Sequence, residues 1–265
     1  MGSLAEVLEL LHDAEPRWTT LRAVGRDWHH NGRSQEAFEA HFAALQASNP
    51  PGSVVKLTGY APRHPTPPPD ETEETWRLWM ERGGRKRAEF LVGDDSVTVV
   101  FDGPTWWSWS ARDGGLTNGG RANYGHGAGS SLVLLETAPL LAALRLEFLG
   151  DDVVTGRAAF SVRGRLRSVD GVANAHALSS LGLGADEYRL AVDAERGVLL
   201  RCEARLRAQP FMVTEMMEVA FDADLTADLF TIQPPAGGTF VDVSRHTPRR
   251  RPPRRLPFHI GRRRD

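Results

Sequence analysis

The chain has 265 residues, 41% hydrophobic and 25% charged, with a formal net charge of −2. That supplies enough apolar material for a sizeable core and excludes a wholly disordered chain. The single cysteine, Cys202, rules out an intramolecular disulfide and any multi-cysteine zinc site, and no apolar run approaches the roughly 20 residues of a membrane-spanning helix. The near-neutral total is uneven: nine arginines and one acid lie between Arg245 and Asp265, leaving 23 basic against 33 acidic residues in the rest. Only Lys56 and Lys86 are lysines, against 30 arginines, which reads as high-GC coding bias.

Leu4, Val7, Leu8 and Leu11 recur at helical spacing and predict a short amphipathic helix ended by Pro16. This opening carries Glu6, Glu9 and Asp13 with no basic start, so no secretory signal is read and a cytoplasmic location is expected. Arg17 to His30 reads as a strand, and Arg33 to Ala47 as a helix with Phe38, Phe42 and Leu45 on one stripe and Ser34 as N-cap. A strand is expected over Ser53 to Tyr60, followed by a proline-rich loop over 61–74.

Next comes a four-strand meander from Thr75 to Ser110, with turns at Gly83-Gly84 and Asp102-Gly103; it holds five of the seven tryptophans. Trp76, Leu78 and Met80 share one face of their strand; Trp107 and Trp109 share a face of theirs, opposite Trp106. Asp113 to Gly129 reads as irregular and glycine-rich. Leu132 to Leu144 reads as helical, with Pro139 either kinking it or opening a second helix. Strands resume at Arg145 to Leu149, Val153 to Arg165, Glu187 to Ala194, Val198 to Arg207 and Phe211 to Asp222. The fold class is therefore α+β: one large, curved antiparallel sheet, with helices covering its concave face. Residues 17–231 form the half-barrel domain, joined by the N-terminal helices and first strand within 1–50, and 245–265 form a basic tail.

Several patterns resemble the LolA/LppX/RseB-like carrier fold. These are the Asp102-Gly103 hairpin with Trp106-Trp107-Ser108-Trp109, the apolar run Leu132 to Leu144 before a strand, Val154-Thr155-Gly156-Arg157-Ala158, and Leu190 to Asp193 paired with Gly197 to Arg201. The resemblance spans Trp18 to Phe230 and reads as a cytoplasmic, actinobacterial-type member. It implies an open half-barrel whose helices plug a hydrophobic hollow, and thus a non-catalytic carrier of an apolar small molecule or lipid. It also leaves open a pathway enzyme that uses the hollow, as the VioE type does, and an RseB-like regulatory partner.

The residues expected to touch a guest are Trp76, Trp107, Trp109, Glu215 and Met217, with Tyr124 and His126 of the glycine-rich loop at the cavity mouth. Glu215 stands out because Phe211, Val213, Met217, Val219 and Phe221 alternate around it. A carboxylate there either pairs with an arginine such as Arg163, Arg165 or Arg201, or acts as a polar anchor or a general acid in the cavity. The tryptophans read equally as core or as cavity lining. Cys202 reads as a buried, inert thiol. No His-Glu-x-x-His, P-loop or Gly-x-Ser-x-Gly pattern occurs, so no metal, cofactor or catalytic residue is assigned. The arginine tail reads as solvated, with a non-specific anionic surface as its alternative contact and no specific nucleic-acid binding.

Overall fold

Strand β1 (Thr20–His30) lies in the middle of the molecule although it comes early in the chain. A computed structural model describes residues 2–48, 69–92, 95–120, 130–167, 178–234 and 236–245. On one side of β1 is a meander of β2 (Glu71–Glu81), β3 (Lys86–Val92), β4 (Asp95–Asp102), β5 (Thr105–Ser110) and β6 (Gly114–Thr117). On the other are β11 (Gln209–Phe221), β10 (Leu199–Leu206), β9 (Glu187–Asp193), β8 (Arg157–Leu166) and β7 (Leu144–Val154). β1 pairs antiparallel with β2 and with β11, and so joins the two meanders. A short β12 (Phe240–Asp242) adds in parallel to β6, completing an unclosed sheet of 12 strands.

The two faces of this sheet differ because strand side chains alternate. One face carries Leu21, Ala23, Trp76, Leu78, Met216, Cys202, Leu190 and Val162, all buried. Helix α1 (Leu4–His12) packs over it through Val7, Leu10 and Leu11, and its first turn is capped by the Ser3 hydroxyl accepting from the Glu6 amide. Residues 130–143 cross the same face between the two meanders as a 3-10 turn at Ser130–Leu134 and helix α3 (Ala138–Ala143), burying Leu134, Leu135, Leu140 and Ala143. Helix α2 (Asn31–Ser48) follows β1 and touches β1 and β11, with Ala37 buried.

The outer face is tiled with ion pairs, both along single strands and between neighbouring ones. Arg163 reaches Glu147 (3.0 Å) and Glu187 (3.3 Å), and Arg189 reaches Glu187 (2.7 Å). Arg201 holds Glu203 (3.0 Å) and Glu215, Arg26 holds Glu215 (2.5 Å) and Glu73 (3.1 Å), and Arg87 holds Glu89 (2.7 Å). Single exposed pairs of this kind stabilise by at most about 1 kcal/mol each. Their arginine stems also cover apolar backbone and keep a broad sheet face from pairing with other apolar surfaces.

The curved antiparallel sheet with helices on one face is the architecture expected, and the four-strand meander is β2 to β5. The differences are local. Pro139 lies at the start of α3, so it opens a second helix and does not kink one. The run Val153-Val154-Thr155, read as the start of a strand, instead enters a turn: Thr155 (φ 51°) and Gly156 (φ 74°) close the β7–β8 hairpin. The short strands β6 and β12 were not foreseen; glycine-rich Gly114–Thr117 and three isolated residues near the C-terminus carry too little pattern. In β11 the alternation breaks: Val24 pairs with Glu218 and Gly25 with Met216, leaving Met217 as the extra residue of a bulge. The expected grouping around Glu215 is therefore split: Val213 lies on its outer side, whereas Val219 and Phe221, beyond the bulge, join Met212, Thr214 and Met216 on the inner side, and Phe211 is buried beside Gly182. The expected strand at 53–60 and the tail beyond Arg245 lie outside the described residues, as does the proline-rich loop except for its end, where Glu71 to Glu74 belong to β2.

Helix α1 sits close to the β9–β10 hairpin because Gly197 lies there with φ 74°, and a Cβ at that position would collide with the Leu10 carbonyl. Gly197→Ala should therefore lift α1 from the sheet and destabilise the fold by about 2–4 kcal/mol, read as a lowered urea midpoint.

Candidate functional site

The helices do not fill the whole covered face. Where the β2–β3 and β4–β5 hairpins end, a cavity of about 660 Å³ remains between sheet and roof. Its floor is one row of register partners, Met80 on β2, Lys86 on β3 and Phe101 on β4, flanked by buried Trp18 just before β1. The roof consists of Leu11, His12, Ala14 and Glu15 at the end of α1, and Leu135 to Pro139 at the start of α3. A hydrogen bond from the Thr137 hydroxyl to the Leu11 carbonyl (2.7 Å) ties the two roof pieces together. Gly83, Gly84 and Gly103 of the hairpin turns edge the mouth.

The lining is apolar in its body, through Leu11, Trp18, Met80, Phe101 and Leu135, with polar groups confined to a few positions. Glu15, Glu136 and His12 belong to the roof and are exposed. Lys86 is half-buried on the floor and forms no ion pair among the described residues. The neighbouring Glu81 is taken by Arg85, which donates to both of its carboxylate oxygens at 2.7 and 2.8 Å.

Farther along the same face is a second polar row. Thr214 on β11, Asp27 on β1 and Glu74 on β2 are successive register partners. Asp27 is buried and accepts a hydrogen bond from the Trp76 indole N–H (3.3 Å). Burial, followed by the nearby Asp27 charge, holds the Glu74 carboxyl above its ordinary value, while His29 acts in the opposite direction. Trp76 lies over Gly25, where any Cβ would meet its ring. Trp76 thus packs as core beside this row and does not line the cavity.

The other expected residues lie elsewhere. Trp107 and Trp109 point to the outer face, where Trp109 meets Phe240 edge-on at 6.3 Å between ring centres. The segment holding Phe230 also crosses this face, and Arg87 donates to its Leu229 and Thr231 carbonyls. Glu215 is on the outer face as well, held between Arg26 and Arg201, the second of which was among its expected partners. Met217, at the bulge, is 51% exposed. Tyr124 and His126 lie outside the described residues. Cys202 is buried, and burial pushes its thiol pKa upward, away from the thiolate form. Among the described residues no cluster of three or more histidine, cysteine, aspartate or glutamate side chains could hold a metal ion.

The cavity residues themselves had weak signals. Met80 shares the Trp76 face of β2, and strand parity carries that face to Lys86 and Phe101. The sequence shows nothing, however, to indicate that the roof stops short of this end of the face.

No protein-family model and no curated protein matches the sequence. Among solved structures, the chain is similar to MucB, at 14% identity and a TM-score of 0.49, over 86% of this chain and 62% of that one. It thus spans less than two thirds of MucB. It is also similar to the lipoprotein LppX of Mycobacterium tuberculosis, at 12% identity and a TM-score of 0.43, over 81% and 94% of the two chains. A LolA superfamily protein from Nitrosomonas europaea matches at 8% identity and a TM-score of 0.31, over 88% and 99%. These likenesses are of low identity, and the architecture of the chain itself is an unclosed, mostly antiparallel sheet of 12 strands with helices on one face.

Two outcomes follow from the geometry. Glu215→Gln should lower stability by about 1–2 kcal/mol, between the values for exposed and buried pairs, as a urea titration would show. Glu74 behaves differently. Its folded carboxyl takes up a proton before the unfolded one does, so its charge opposes folding at neutral pH, and that effect vanishes as the pH falls below the unfolded value. Glu74→Gln should therefore raise the melting midpoint by about 1–2 °C at pH 7 and confer no advantage near pH 4 in parallel melts, about the ordinary value for glutamate.

Proposed function

We propose that the protein is a non-catalytic binding protein that holds a hydrophobic guest, lipid or acyl-like, in the cavity between the sheet and the roof formed by α1 and α3. The observation that carries this reading is the cavity itself: about 660 Å³ on the apolar side of the sheet, opening between glycine turns. That volume falls within the range of small-molecule sites, about 300–1,000 Å³. The hollow is open to solvent along part of its wall, and Trp18, Met80 and Phe101 present apolar surface to whatever enters it. Displacing water from such a lining drives binding without any covalent step. The flexible thioether of Met80 suits guests of irregular outline.

Gly84 allows a direct test. It borders the mouth, and a Cβ built there meets nothing within 4 Å, so a large side chain can be added without disturbing the fold. The neutral fluorescent probe N-phenyl-1-naphthylamine should bind the unmodified protein with enhanced emission. Gly84→Trp should weaken that binding by about tenfold or more, while the melting midpoint stays within about 1 °C. Equal binding by both proteins would place the probe outside the cavity and remove the proposal, as would no binding by either.

A further inference from the structure

Building on that reading, we infer that Lys86 is a head-group anchor and that the guest is a single-chain amphiphile with an anionic head, a carboxylate or a phosphate. Strand register places Lys86 between Met80 and Phe101 on the apolar side of the sheet, and all three line the cavity. Five arginines of the outer face, Arg26, Arg87, Arg163, Arg189 and Arg201, each have at least one carboxylate within 4.0 Å. Lys86 has none among the described residues. The acid nearest in sequence on the adjoining strand, Glu81, is occupied by both arms of Arg85.

An ammonium group set between a thioether and a phenyl ring, half-withdrawn from water, has three donors and, among the described residues, no protein acceptor to meet them. A ligand anion would supply that acceptor, and a charge-assisted bond formed away from bulk water is the strong kind. The chemistry of the residue agrees, since lysine is a compact point charge that takes carboxylate and phosphate alike, without the bidentate geometry arginine imposes. The other charged lining groups are Glu15, Glu136 and His12, all exposed on the roof opposite Lys86. Exposed carboxylates remain solvated and screened, so they tilt the mouth against anions less than the half-buried ammonium favours them. The cavity size limits the guest to about one alkyl chain with its head, at the scale of a small-molecule site.

The test is displacement of N-phenyl-1-naphthylamine by four twelve-carbon compounds, each kept below its micelle concentration: dodecanoate, dodecyl phosphate, dodecanol and dodecyltrimethylammonium. Dodecanoate, dodecyl phosphate or both should displace the probe at about tenfold lower concentration than dodecanol, and the two anions compared tell which head is preferred. In Lys86→Met that advantage should fall to less than about twofold while dodecanol is unaffected, and Lys86→Arg should restore most of it. Equal displacement by anions and alcohol would overturn the anchor while leaving the cavity reading intact. A preference that survives in Lys86→Met, or tighter binding of the trimethylammonium compound, would overturn it equally. Failure of all four compounds to displace the probe would overturn the cavity reading and the anchor with it.

Discussion

The architecture depends on β1 being hydrogen-bonded along both of its edges. Each of the flanking meanders is built from local hairpins, but only β1 connects them, with β2 on one side and β11 on the other. Among the strand pairings of the described residues, the one with β11 joins the partners farthest apart in the chain, from Leu21 to Phe221, so it fixes the global shape at the largest loop-closure entropy. Its middle is also closely packed. Gly25 leaves room for the Trp76 ring above it, and the β11 bulge falls in the same stretch of the pairing.

From that central strand outward, the two faces follow different physics. On the covered face, burial of leucine, valine and aromatic side chains beneath α1 and the 130–143 segment supplies the hydrophobic stabilisation. The outer face gains little from any one ion pair, yet the arginines and glutamates along β1 to β3 and β7 to β11 keep that part of the surface hydrated. Glu215 and its two arginines are part of that tiling. The cavity results from a mismatch in extent: the hairpins β2–β3 and β4–β5 reach beyond the end of α1, and the segment that returns through Thr137 bridges the gap without filling it.

The sequence made much of this legible because hairpin patterns are local. Period-two alternation placed Trp76, Leu78 and Met80 together, and set Trp106 against Trp107 and Trp109, as the structure has them. Asp102-Gly103 and Gly83-Gly84 marked their turns for the same reason, since glycine reaches positive φ without steric penalty. The candidate site was harder to read. Two tryptophans chosen as cavity lining lie on the outer face, because alternation tells which residues share a face and not which face the helices will cover. Met217 fails by a different route: one extra residue in β11 reverses the parity, and nothing local in Phe211 to Phe221 announces it.

The sequence by itself determined the β2–β5 meander with its turns, the grouping of side chains by face within β2 and β5, and the burial of Cys202, since each depends on residues adjacent in the chain or on simple hydrophobicity. Only the tertiary structure decided that β1 sits between β2 and β11, that Glu215 belongs to an outer ion-pair array, and that Lys86 faces a hollow beside Met80 and Phe101. Those facts depend on segments far apart in sequence meeting in space, and on how far a helix extends over a sheet, quantities that no local pattern of residues encodes.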